Sequence, residues 1–267
     1  MPNTIRKRVK SLLRRSPRLL GAAYALRDVP ADLRSFFPML DAKRDGAANA
    51  FHGDRMWRQL VGTFIKELPI SAIIETGTFL GDTASFLSDI YPGTIYTVEL
   101  KGRYFRESSR RLKDKKNVRM LRGSSPVELA RLARDGTTGT LPLFFLDAHW
   151  YDYWPLADEL AVLGRLTKAI VMIDDFKVPG RNDFGFDRQE TADGPVDSDI
   201  EHILPALSPQ NTYRFLFPNY RITDAFPAAT AATKARGHIV IFQNASEEFD
   251  AILKHSAVAD TYREHAR

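Results

Sequence analysis

The sequence predicts an α/β fold built on a doubly wound, mainly parallel sheet, preceded by a helical extension. Three observations carry this. Short, wholly apolar runs recur between residues 70 and 173, and helix-period segments separate them. Runs of that kind are strands covered on both faces. The first run ends in an acidic residue and a spaced glycine pair, ETGTFLGDT at 75–83, the turn by which a strand feeds a helix. Right-handed crossovers then arrange such units as a doubly wound sheet.

The elements follow in order. Residues 1–50 read as a basic helical extension and linker, broken by Pro17, Pro30 and Pro38, and 51–267 as one domain. From Asp54 the residues Met56, Trp57, Leu60, Val61, Phe64 and Ile65 recur at helical spacing until Pro69. Strands are expected at 70–75, 94–99, 118–121, 143–146 and 169–173, with helices at 82–90, 103–113, 126–134 and 154–166. The alternation then stops. A Gly-, Asp- and aromatic-rich loop is expected at 177–199, and its Arg181, Phe184, Phe186 and Arg188 suit a lid over an acceptor. A helix at 200–207, a strand at 213–217 and a strand at 238–242 follow, the two strands as an antiparallel pair at one sheet edge. The tail from Ser246 reads as helical and charged.

Composition narrows the function. The chain has 267 residues, 44% of them hydrophobic and 27% charged, and no cysteine, which excludes disulfides and thiolate metal sites. No apolar run reaches the roughly 18 residues of a membrane span, and the N-terminus lacks a signal-peptide core. A cytoplasmic protein is expected. Of the net charge of +5, Arg6, Lys7, Arg8, Lys10, Arg14, Arg15 and Arg18 form an N-terminal cluster interleaved with leucines. It reads either as a solvated arm or as an amphipathic helix for peripheral contact with an anionic membrane through residues 1–20. No groove-reading motif or aromatic-interleaved basic stripe points to nucleic acid.

The strand ends carry the candidate chemistry. Open α/β sheets bind ligands at the carboxyl ends of their strands. Glu75, Gly77, Thr78, Gly81 and Thr83 lie at the first such end, Glu99 at the second, and Gly123, Ser124 and Ser125 at the third. Glu99 can accept hydrogen bonds from both hydroxyls of a ribose, and the serines can meet an adenine edge. Gly-x-x-x-Gly differs from the Gly-x-Gly-x-x-Gly that cradles a pyrophosphate. Glu75 would repel a pyrophosphate and suits a ligand with an ammonium group, which favours S-adenosylmethionine over NAD.

ETGTFLGDT, the Glu99 strand end and the fourth-strand motif resemble the class I S-adenosylmethionine-dependent methyltransferases over about residues 70–176. Within that class FFLDAHWYDYWPLADELAVL followed by IVMIDDF is similar to the metal-dependent O-methyltransferases of the catechol and macrocin types. The resemblance implies a seven-stranded Rossmann-like sheet and a divalent cation, Mg²⁺ by preference, held by Asp147, Asp174 and Asp175. It departs from the catechol pattern in its Asp-Asp pair and in one inserted residue between Asp147 and Trp150.

Independently of any family, three clustered carboxylates repel one another, so without a cation at least one should have a raised pKa, and their hard oxygens favour Mg²⁺, with Ca²⁺ or Mn²⁺ as alternatives. Such an ion would activate and orient an acceptor hydroxyl. Asp147 and His149 are the catalytic candidates, and Asp147 also counts among the cofactor-binding ones. His149, two residues past Asp147, can remove the acceptor proton or serve as a capping or buried histidine. Trp150 reads as a cofactor wall, Tyr153 and Trp154 as packing, Asp152 and Asp158 as helix N-terminal acids, and Lys177 as a second base candidate or a solvated lysine. The expected activity is O-methylation of a sugar, glycan or natural-product hydroxyl, in a chain that could form a homo-oligomer. A metal-independent N- or C-methyltransferase and a non-catalytic membrane-surface module are the alternatives.

Overall fold

The computed structural model describes residues 46–149, 153–191 and 194–265. The basic segment at residues 1–20, with its expected helix and membrane contact, lies outside them, as do Trp150, Tyr151 and Asp152. Among the described residues no helix is long and apolar enough to cross a membrane.

The strands are β1 (Ile73–Thr76), β2 (Ile95–Glu99), β3 (Val118–Arg122), β4 (Leu143–Leu146), β5 (Ala169–Ile173), β6 (Arg188–Thr191), β7 (Gly194–Asp197), β8 (Tyr213–Pro218), β9 (Ile239–Gln243) and β10 (Tyr262–His265). The main helices are α1 (Arg55–Glu67), α2 (Asp82–Ile90), α3 (Gly102–Arg111), α4 (Ser125–Arg134), α5 (Leu156–Leu163) and α6 (Ser246–Leu253). The central sheet runs β10-β8-β9-β5-β4-β1-β2-β3, parallel from β3 through β5. β9 is antiparallel to both β5 and β8. Every residue of β1, β4, β5 and β9 is buried, so the sheet is covered on both faces, as apolar runs require.

Three expectations are corrected. The sheet has eight strands, because β10 pairs antiparallel with β8 at the edge. Only Tyr262 of β10 is buried, and an edge strand needs no apolar run to be held by its backbone. The tail is therefore not helical throughout. The β8–β9 pair forms, but β9 lies inside the sheet between β5 and β8. The 177–199 segment is not an open loop: β6 and β7 make a hairpin in it, and Phe184 is buried against Tyr220. Phe184 is thus core and not lid, and Arg188 and Lys177 both bind Asp197 within this segment.

A buried polar knot fixes the start of α1. Asp54 caps the helix, accepting from the N–H groups of Met56 (2.8 Å) and Trp57 (2.9 Å). Its second oxygen accepts from the Tyr220 hydroxyl at 2.6 Å. Trp57 stacks on His238 at 3.8 Å between centroids, and His238 meets the Tyr262 hydroxyl at 3.1 Å. The C-terminal strand thereby braces the segment that precedes α1. Tyr220→Phe leaves a buried carboxylate oxygen without its donor, and urea denaturation is expected to show a loss of about 1–3 kcal/mol.

Candidate functional site

The chain reverses its strand order at β1, which has β4 on one side and β2 on the other, so a crevice opens at their carboxyl ends. β1 leaves the sheet through Gly77, whose φ is +84°. A Cβ there would sit 2.2 Å from the Asp147 carbonyl oxygen. This close approach brings the exits of β1 and β4 together. The next turn holds Phe79 at φ +50° and 48% exposed, edge-on to Tyr104 at 4.6 Å.

Two cavities meet at this turn. One, of about 280 Å³, is lined by Glu99, Tyr104, Gly123, Ser125 and His149 among others. The other, of about 440 Å³, is lined by His52, Glu75, Thr83, Asp174, Lys234 and Arg236 among others. Gly77, Phe79 and Asp147 line both. Glu99 accepts from the N–H groups of Phe79 (2.8 Å) and Lys101 (2.7 Å), which orients its carboxylate at the first cavity. Glu75 is buried and accepts from Thr97, whose hydroxyl also meets Thr78 at 2.5 Å. Burial pushes Glu75 up to about 8. Gly81 and Ser124 line neither cavity. Gly81 makes a left-handed turn into α2 tight against Leu112, and Ser124 precedes α4. Trp150 lies outside the described residues.

The acidic cluster forms, and cations are woven through it. His52 Nε2 lies 2.8 Å from Asp174 and 3.9 Å from Asp175. Arg236 binds Asp175 and, at 2.6 Å, Asp187. Asp187 meets His149 Nδ1 at 2.6 Å, and His149 Nε2 lies 3.5 Å from Asp147. The charge of Asp174 is the main reason His52 rises to about 10. Burial works against the charge of His149, yet Asp147 and Asp187 together push it up to about 11. Burial, then the charge of Asp174, raises Asp147 to about 7. For Asp174 the charge and hydrogen bond of His52 outweigh burial and hold it below the usual carboxylate range.

His52, Asp187, Arg236 and the buried Glu159 were not singled out in the sequence. Glu159 sits behind the cleft on α5, where burial raises it to about 7 against the pull of Ser125 and Thr76. Arg236 had a legible signal. It precedes β9, and an antiparallel strand beside β5 starts where β5 ends.

Donor atoms within 4.8 Å of one another occur in two groups, His52–Asp174–Asp175 and Asp147–His149–Asp175. Asp175 belongs to both groups, while Asp147 and Asp174 fall in different ones, so the expected aspartate triad is not a single ligand set here. Each group pairs two aspartates with an imidazole, a set that fits Mn²⁺, Fe²⁺ or Zn²⁺ as well as Mg²⁺. Lys177 is held by Asp197, which takes it out of the base role. Trp154 stacks on His202 at 4.8 Å and is packing, and Asp158 accepts from Tyr153.

His238 is fully buried, and that burial pushes it down to about 3 against an ordinary value of 6.5. Unfolding lets it take a proton at any pH between those values. Its contribution is thus complete above pH 6.5 and lost as the pH falls. From pH 7 to pH 5 it should cost about 2 kcal/mol. His52 and His149 titrate with the opposite sign, so the check compares urea midpoints of wild type and His238→Gln across this range. The gap between them must narrow toward pH 5.

No protein-family model matches the chain, and no curated protein does. Solved structures are similar in fold. An O-methyltransferase from Bacillus cereus in complex with SAH is 14% identical, with 82% of this chain and 90% of that chain covered and a TM-score of 0.47. Cofactor-bound Rv0187 from MTB is 14% identical over 83% and 90%, with a TM-score of 0.47. The O-methyltransferase TomG from Streptomyces achromogenes, in complex with SAM, is 16% identical over 80% and 95%, with a TM-score of 0.45. The strand order β3-β2-β1-β4-β5-β9-β8, with β9 reversed between two mutually parallel neighbours, makes this a doubly wound, Rossmann-like α/β sheet.

Proposed function

We propose that the chain is an S-adenosylmethionine-dependent O-methyltransferase, assisted by a divalent cation and acting on a hydroxyl of a sugar, glycan or similar polar natural product. The observation that carries this is the meeting of the two cavities at Gly77, Phe79 and Asp147, with Glu99 in one and the aspartate cluster beside the other. Glu99 would hold the ribose, Ser125 would face the base, and Glu75 would face the ammonium group. The second cavity is lined by His52, Asp174, Thr233, Lys234 and Arg236, groups that suit a polyhydroxy acceptor better than a flat apolar one.

The cofactor supplies an electrophilic methyl group, and a divalent cation held by Asp147, Asp174 and Asp175 would lower the pKa of the acceptor hydroxyl. The remaining work falls to the chain. The cavities fix the two reactants in line. Asp187 holds His149 through Nδ1, which leaves Nε2 toward Asp147 and the cleft. Once the charge of Asp147 is engaged, the pull that keeps His149 protonated weakens, and the imidazole can take the acceptor proton.

A metal-free reaction is the second reading. His52 and Arg236 already neutralise Asp174 and Asp175, as an ion would. Calorimetry with S-adenosylhomocysteine is expected to show one site per chain, weakened by Glu99→Ala. No heat with either S-adenosylhomocysteine or S-adenosylmethionine would sink the proposal, and turnover that survives EDTA would favour the metal-free reading.

A further inference from the structure

A cavity of about 630 Å³ lies away from the site, along the outer edge of β3 between α3 and α4. β3 ends the sheet, and among the described residues no strand pairs with its outer side. The Asn117 carbonyl accepts from Ile95 N–H at 2.9 Å, and Gly123 N–H donates to Glu99 at 3.1 Å. Odd-numbered residues therefore face β2, and Met120 turns its N–H and C=O outward into the cleft. The floor is apolar, with Leu112, Met120, Leu121 and Leu132.

The rim is basic. Residues 101–122 hold ten Lys and Arg against Glu107 and Asp114, a net of +8 in a chain whose total is +5. Some of these charges are committed, as in Arg111 to Asp82 and Lys115 to Asp89. Lys113, Lys116 and Arg119 are exposed, line the cleft, and meet no carboxylate among the described residues. Among the described residues the Arg119 guanidinium donates only to the carbonyls of Lys116 and Val118.

We propose that this cleft binds an acidic peptide segment in extended form, added as a strand to β3. The open edge offers backbone hydrogen bonds, the helices flank both faces for alternating side chains, and the basic rim selects for Glu and Asp. A second copy of this chain would set one basic rim against another. A bilayer surface cannot enter a cleft between two helices. Single-stranded nucleic acid needs stacking platforms, and the only aromatic lining residue among the described residues is the half-buried Tyr96. Charge on an edge strand also keeps copies from pairing, and the test separates that role from binding.

The probe is a fluorescein-labelled short peptide alternating Glu and Val, followed by anisotropy with the full chain. Binding is expected to weaken by at least about tenfold for Lys113→Glu/Lys116→Glu/Arg119→Glu. It should weaken similarly for a backbone N-methylated peptide of the same sequence, and the Met120 amide should gain hydrogen-exchange protection with the unmodified one. All three substituted residues are exposed, and circular dichroism checks that the variant folds. Equal binding of the N-methylated peptide would overturn strand addition. So would displacement by poly-uridine at lower concentration, or flotation with phosphatidylglycerol vesicles that the peptide does not block. No peptide binding by wild type, with self-association of Lys113→Gln/Lys116→Gln/Arg119→Gln, would show that the charges only protect the edge.

Discussion

Gly77→Ala is expected to weaken S-adenosylhomocysteine binding by at least about 100-fold and to cost about 3 kcal/mol of stability. Two independent effects add at this position. The left-handed φ of +84° strains any residue with a Cβ, and that Cβ would lie 2.2 Å from a backbone oxygen of Asp147. Backbone cannot rotate away as a side chain would. Relief must come from separating the exits of β1 and β4, and both cavities share that junction. Gly62→Ala is the matched control. Nothing lies within 4 Å of a Cβ there, in the middle of α1, so it should leave binding unchanged and raise stability by up to about 1 kcal/mol. Calorimetry and urea denaturation read both. Binding by Gly77→Ala at the wild-type level would show that the β1 turn does not form the cofactor cradle.

What was legible in the sequence was whatever the chain states locally. β4 and β5 were expected at the residues where they occur, since wholly apolar four- and five-residue runs bounded by polar turns have few other uses. Asp147, Asp174 and Asp175 were expected as site residues from the resemblance, and they lie directly after β4 and β5. β10 and the β6–β7 hairpin did not follow. Tyr-Arg-Glu-His and Arg-Gln-Glu-Thr are edge sequences whose strand state comes from backbone pairing and not from an apolar face. Two cations of the site, His52 and Arg236, were not singled out, because each is a long-range partner. His52 reaches Asp174 across 122 residues of sequence, and Arg236 reaches Asp175 across 61. His52 arrives through two successive left-handed residues, Phe51 and His52, which no local propensity favours. The buried contacts of Phe51 with Trp57 and Phe145 hold that turn in place. Three carboxylates at adjacent strand ends repel one another and call for positive charge. The chain answers part of that need with its own side chains.

Asp147→Asn is expected to lower turnover about a thousandfold while cofactor affinity changes by no more than about threefold. The side chain keeps its shape and one accepting oxygen but loses its charge. That charge is shared between the donor group with Asp175 and the anionic cage around His149. Removing it therefore takes a ligand from the cation and a partner from the imidazole in one step. Asp187→Asn reaches the imidazole, through its 2.6 Å contact with Nδ1, and Arg236, also at 2.6 Å, but takes no ligand from the cation, and should cost about tenfold. The ranking is the test. Equal losses for both variants would mean that Asp147 acts solely through His149, and the cation would then have no part. A thousandfold loss of cofactor binding in Asp147→Asn would instead make Asp147 a cofactor ligand. EDTA separates the remaining cases. It should bring wild type down to the level of Asp147→Asn and leave the variant where it was, because a site that has lost its shared carboxylate has little cation left to remove.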